Sequence, residues 1–266
     1  MHLQPAVLAM CLVLIAWRAH PRYQLIVAAN RDEFYARPTL PAQRWPGASG
    51  MIAGQDLEAG GSWMGVDAAG RFAAVTNFRE MEQGPADARS RGELVTDYLL
   101  GDAPAESYLA EVAGRANHYR GYNLLLTGGG ELYCASNRGA PVRHLPPGVH
   151  GVCNGPLDSD WPKVKRGRQL LAKAVDRTEP SPKQLFELLR DQTQPADEAL
   201  PDTGVGLEWE RLLGTIAIDG AIAGRDYGTR SASVLLLDAK GRGRFVEHSR
   251  MDDARWQQRE FPIGST

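Results

Sequence analysis

Apolar residues first appear in short runs. Cys11 to Trp17 and Gln24 to Ala28 are separated by Arg18 to Tyr23, where His20-Pro21 supplies turn chemistry, so the pattern predicts a hairpin of buried strands. Trp63 to Val66 and Phe72 to Thr76 flank Asp67-Ala68-Ala69-Gly70 as a second hairpin. Tyr122 to Leu126 and Glu131 to Ala135 flank a run of glycines as a third. Gly60-Gly61, just ahead of Trp63, permits positive φ or close backbone approach. Ser231 to Leu237 is a continuous apolar strand that Lys240-Gly241-Arg242-Gly243 turns back into Arg244 to Glu247.

Between these runs the period becomes helical. Leu94 to Leu100 and Ala105 to Val112 carry apolar residues at helical spacing, and Trp161, Val164, Leu171 and Val175 form a stripe with Asp160 as cap and Pro162 in the first turn. Ser181-Pro182-Lys183-Gln184 has the capping-box pattern and opens a helix that runs to Arg190. Asp191 to Gly214, rich in Pro, Asp, Gly and Thr, reads as a surface loop of the kind that lids a site. Hairpins surrounding helices, with no repeat and no clean linker, predict one α+β domain of two stacked sheets covered by helices.

Composition adds exclusions. The 266 residues are 43% apolar and 23% charged with net charge −2, an ordinary globular balance. Thirty basic residues against 32 acidic ones leave no nucleic-acid footprint, and basic Lys163 to Arg168 fall on a predicted helix as a solvated face. Cys11, Cys134 and Cys153 lie far apart with no Cys-x-x-Cys, against a zinc ribbon, a c-type haem or a disulfide scaffold and for a reducing, cytoplasmic compartment. Met1 to Ala9 hold no Lys or Arg, and Ala6 to Trp17 is far short of the roughly 20 residues that span a bilayer. Residues 1–9 are therefore expected to be a mis-set start or a disordered extension, with 10–266 as the domain.

Cys11 directly follows Met10. If translation starts at Met10 and that Met is removed, Cys11 carries both a thiol, of pKa roughly 8.5, and a free amine, of roughly 7.7–8.0, that can accept the thiol proton. The alternative is a cysteine heading a buried strand.

Asn30-Arg31-Asp32-Glu33-Phe34 resembles the signature of the NRDE family, which is named after those four letters and includes the transport and Golgi organisation protein 2 group. Gly60-Gly61-Ser62-Trp63-Met64-Gly65-Val66, Thr76-Asn77-Phe78-Arg79, Ser90-Arg91-Gly92, His150-Gly151-Val152-Cys153-Asn154, Trp161-Pro162-Lys163-Val164 and Tyr227-Gly228-Thr229-Arg230-Ser231 resemble it in the same order. The family is similar to the choloylglycine-hydrolase and penicillin-acylase branch of N-terminal-nucleophile hydrolases, which implies a four-layer αββα sandwich. It also implies Cys11 as nucleophile, Asn77 and Asn154 as oxyanion donors, Asp32 or Glu33 holding the terminal ammonium, and Arg230 or Arg31 lowering the thiol pKa. Aligned without gaps on Phe34, the branch's early Arg and Asp fall on Asn30 and Glu33 instead.

Links of the family to haem handling and to acyl-CoA and lipid metabolism imply a small-molecule ligand met by Asn30, Arg31, Asp32, Glu33, Trp63 and Phe78. Haem would then be a carried ligand rather than a required cofactor. No metal is expected, because His20, His118, His144, His150 and His248 form no haem or metal spacing. Two readings stand: a non-hydrolytic protein handling haem or acyl-CoA, towards which the imperfect Arg and Asp alignment tips the balance, and a cysteine amidohydrolase cleaving a linear amide or thioester. Oligomeric state stays open.

Overall fold

The computed structural model describes residues 10–264 except 48, 81–83, 86, 140–141 and 177–178, so the extension expected over 1–9 lies outside the described residues. With strands numbered in chain order, one antiparallel sheet runs β10 (Gly148–Val152), β1 (Met10–Trp17), β2 (Leu25–Phe34), β12 (Arg225–Leu237), β13 (Gly243–Arg250), β14 (Trp256–Ile263), and β11 (Asp219–Ile222) pairs with β12. The other runs β3 (Thr39–Arg44), β4 (Ile52–Asp56), β5 (Met64–Val66), β6 (Phe72–Asn77), β7 (Tyr122–Gly128), β8 (Glu131–Ser136), β9 (Arg143–His144).

Alternation along the strands sorts their side chains into three apolar layers. Val13, Ile15 and Trp17 of β1 meet Ile52, Phe72 and Leu125 between the sheets. Leu12, Leu14 and Ala16, their neighbours in sequence, pack outward on Val164 and Leu171 of α3 (Pro162–Val175) and Leu185 of α4 (Pro182–Leu189). On the far side Ala73 and Leu124 pack under Leu94 and Leu99 of α1 (Glu93–Leu100) and Tyr108 of α2 (Ala105–Gly114). Strands buried on both faces lose the apolar–polar alternation of half-exposed ones, which is why 11–17 is a continuous apolar run and 231–237 is interrupted only by the buried Ser231 and Ser233. Each fully buried side chain of this size contributes about 1.5–3 kcal/mol. The result is the expected αββα sandwich.

The structure corrects several local readings. β2 continues through the polar Asn30 to Phe34, every residue of it buried. Residue Trp161, not Asp160, is the N-cap of α3, and it makes no side-chain cap bond. By contrast, Ser181 and Gln184 form the expected capping box on α4. Lys163, expected on a solvated face, is 2% exposed. The stretch from Asp191 to Gly214 contains a helix, α5 (Leu207–Leu213), pinned inward where Glu210 meets Arg79 at 2.6 Å with both side chains buried. Thr203 donates its backbone N–H and its hydroxyl to the other Glu210 oxygen.

Deleting one partner of a buried ion pair strands the other charge. Glu210→Ala should therefore lower stability by about 3–5 kcal/mol in chemical denaturation, and replacing both Arg79 and Glu210 with apolar residues should recover much of that loss. A loss below about 1 kcal/mol, the range of an exposed pair, would show that the pair does not anchor α5.

Candidate active site

Register builds the site. In the β1–β2 ladder Cys11 lies opposite Arg31, and Met10 opposite Asp32. Opposed residues share a face. Cys11, Arg31 and Glu33 therefore project between the sheets, where a cavity of about 520 Å³ opens, whereas Asn30 and Asp32 sit on the helix-covered side. On β12, Thr229 opposes Asp32 and Ser231 opposes Arg31, which leaves Arg230 as the extra residue of a β-bulge. A bulge re-aims side chains. Here it turns the Thr229 hydroxyl to donate to Asp32 Oδ1 at 2.7 Å while Arg230 lines the cavity, donating to the Tyr35 carbonyl and, at 3.0 Å, to Asp252. Two glycines shape the opposite wall. Gly60 has φ +82°, and a Cβ on Gly61 would lie 2.5 Å from the Gly92 carbonyl carbon at the start of α1.

Burial governs the electrostatics. It pushes the Cys11 thiol up to about 12; Arg31 and Lys163 pull it down, and Asp32 and Glu33 push it further up. Asp32, with no exposed surface, is raised to about 6 by burial, against the opposing pull of Lys163, the Thr229 hydroxyl and Arg31. Among the described residues, neither Asp32 Oδ2 nor Lys163 Nζ has a hydrogen-bond partner. Burial also raises Glu33, whose Oε1 accepts the Phe34 N–H at 2.8 Å and whose Oε2 lies 3.5 Å from Arg31 and 3.7 Å from Arg37. Arg31 reaches Asp56 at 3.2 Å and Thr39 at 3.3 Å.

Cys11, Arg31, Glu33, Trp63, Asn77 and Arg230 thus line one cavity, and Asp32 borders it although its carboxylate is turned to the helix side by the Thr229 bond. Three other expected site residues stand outside its lining. Asn30 is wholly buried on the helix side and donates its amide to the carbonyls of Leu189 and Ile216, both at 2.9 Å, so it fastens the sheet to its cover instead of meeting a ligand. Asn154 Nδ2 donates to the Asn77 carbonyl at 2.9 Å and the Asn154 carbonyl accepts the Arg79 N–H at 2.7 Å, which makes it a clasp between strand ends. Phe78 does not join the lining.

The sequence reading missed the buried ammonium of Lys163, the cavity-lining Arg91 and Arg120, and Tyr227, whose hydroxyl accepts the Met10 N–H at 3.0 Å. Lys163, Arg91 and Tyr227 were within reach, since each stands in one of the quoted family blocks. Among the described residues, no three His, Cys, Asp or Glu side chains gather as a metal set. His150 is held by Asp158 and the Pro146 carbonyl, both at 2.9 Å, and His248 stacks on Phe186.

Two facing antiparallel sheets, helices on both outer faces and a cysteine at the head of an inner strand define the architecture of N-terminal-nucleophile hydrolases. A mutant of the conjugated bile acid hydrolase from Clostridium perfringens superposes with a TM-score of 0.53 over 95% of this chain and 92% of that one, at 8% sequence identity. Residues 10–252 match the family Transport and Golgi organisation 2, and the chain belongs to it. It is 36% identical to the Transport and Golgi organization protein 2 homolog of Homo sapiens, covering 95% of this chain and 98% of that protein. Against Transport and Golgi organization protein 2 of Drosophila melanogaster identity is 29%, with 90% and 92% covered.

Asp32 offers a pH test. With its pKa raised from 3.8 to about 6, it holds more proton folded than unfolded between those values, so its stabilising contribution is complete below pH 3.8 and is lost as pH rises through about 6. Asp32→Asn removes that loss. Stability of the variant relative to wild type should rise across this window by on the order of 3 kcal/mol in denaturant titrations at stepped pH. A pH-independent difference would mean that Lys163 fully compensates the carboxylate.

Proposed function

We propose that this chain handles haem or an acyl-CoA or lipid ligand in the Cys11 cavity, as a cytoplasmic ligand-handling protein. The observation that carries this reading is the combination of a roomy polar cavity with an unready thiol. At about 520 Å³ the cavity falls within the roughly 300–1,000 Å³ of small-molecule sites, and Trp63 gives it an aromatic face among its arginines. The Cys11 nitrogen, meanwhile, is an amide bonded to Met10, itself fully buried, and burial holds the thiol near 12. In that form neither nucleophile nor base is available.

One observation favours a second reading, a cysteine hydrolase acting on a linear amide or thioester. The unpartnered Oδ2 of Asp32 lies across the ladder from Met10, where it would serve a terminal ammonium once Cys11 begins the chain. The neutral amine would then take the thiol proton as sulfur bonds the acyl carbon, the same proton would leave with the amine or thiol product, and water would release the acyl group from sulfur. Asn77, which lines the cavity, would be the oxyanion donor, and one such donor supplies about 2.7–4 kcal/mol of barrier reduction.

Cys11→Ser separates the two. If the chain is a carrier, wild type and variant should bind haem or long-chain acyl-CoA alike and neither should release product from acyl amides or thioesters. Turnover by wild type that the variant lacks would instead establish the hydrolase. Intact mass shows which form was assayed, with Cys11 first or with Met10 retained.

A further inference from the structure

Arginines crowd the cavity, but they are not equivalent. Arg31 is matched by Asp56 and Glu33, Arg37 by Asp56 at 2.7 Å, and Arg230 by Asp252. Arg91 and Arg120, both half-buried on the wall, have no ion-paired carboxylate among the described residues. The one hydrogen bond of the Arg91 guanidinium goes to the Gly121 carbonyl at 3.0 Å. Glu80, the acid whose charge reaches Arg91, is committed to Arg138 and to the Gly121 N–H.

Arg225 and Arg250, which also line the cavity without an ion-paired carboxylate among the described residues, lie over the Phe34 and Tyr35 rings, whereas Arg91 and Arg120 share one stretch of wall, Arg91 bonding the carbonyl of the residue after Arg120. After burial, the Arg120 charge is the largest influence holding Arg91 down, to about 10, and Arg91 also lies within the field of the Cys11 sulfur. Two like charges kept together beside a cavity, with carboxylates supplied to Arg31, Arg37 and Arg230 and, among the described residues, none to them, fit a site completed by an anion from outside. Guanidinium binds carboxylate and phosphate through parallel N–H···O bonds.

We propose that Arg91 and Arg120 form an anion subsite, so that the ligand of this cavity carries a carboxylate or phosphate group in addition to its apolar part. The inference rests on the reading of the cavity as a small-molecule site and is independent of whether Cys11 is a nucleophile. It also assigns a polarity to binding, with the oxyanion at the Arg91 wall and the uncharged remainder along Trp63 and the sheet.

The test uses one acyl chain under three head groups, N-lauroylglycine, N-lauroylphosphoethanolamine and N-lauroylethanolamine, titrated by calorimetry into wild type, Arg91→Gln, Arg120→Gln and the charge-keeping Arg91→Lys. Wild type should bind at least one of the two anions about tenfold more tightly than the neutral amide, as one charge-assisted hydrogen bond provides. Either glutamine variant should lose that preference while affinity for the neutral amide is kept, and Arg91→Lys should retain part of it. Preference for the glycine conjugate alone or for the phosphate alone identifies the anion. Equal affinity for all three, binding of none, or an undiminished preference in both glutamine variants overturns the subsite. Charge preference in a wild type that releases no lauric acid upholds it while refuting hydrolysis, so the two readings fail separately.

Discussion

The pairing of β1 with β2, and of β2 with β12, is the constraint on which everything else here depends. Because side chains alternate with a period of two, a slip of one residue would turn Cys11 into the helix-covered layer and bring Leu12 to the cavity. The apolar alternation of Val13, Ile15 and Trp17 against Leu12, Leu14 and Ala16 holds the register with several buried side chains on each face, far more than the polar end of the ladder could supply. The reactive end of β1 is thus positioned by hydrophobic packing several residues away from it. The Arg230 bulge then adjusts the third strand locally, giving Asp32 a hydroxyl and the cavity a guanidinium from adjacent positions.

Much of this was legible in the sequence wherever pattern and packing coincide. Continuous apolar runs marked strands buried on both sides, the Ser181 box marked α4, and the helical stripe of Val164, Leu171 and Val175 marked α3. Legibility failed where polar residues are buried. Asn30 to Glu33 look like the end of a strand by hydropathy yet continue β2, since ladder bonds, ion pairs and the Leu189 and Ile216 carbonyls hold most of their polar groups. Lys163 read as solvated because its neighbours are basic, and only the close packing of α3 on β1 shows otherwise. The bulge at Arg230 leaves no hydropathic trace, so neither the Thr229–Asp32 bond nor the facing of Arg230 could be read from spacing.

The inner end of the site is unusually charged for a protein interior. Asp32 and Lys163 lie on the helix side of the sheet, and Arg79 and Glu210 beneath α5. Charges so placed are costly unless they are matched. They also fix what apolar packing leaves degenerate. Arg79 lies over the Trp161 ring at 4.8 Å and 3.5 Å from the Met10 sulfur, tying α5, the entrance to α3 and the head of β1 into one unit. The cavity side, in contrast, holds cations whose charge is only partly matched.

Met10 lies at the centre of that unit. Its side chain has no exposed surface, it packs with Phe34, Leu213, Ile218, Ile222 and Tyr227, and its N–H is bonded to the Tyr227 hydroxyl. An aminopeptidase works on an extended, accessible terminus, and the folded protein offers none at this residue. An enzyme that removed Met10 would therefore have to act on the nascent or unfolded chain, before α5 and β12 close over the strand. Folding and such a cut would compete for the same residue, and a molecule that folded first would keep the Cys11 nitrogen in an amide.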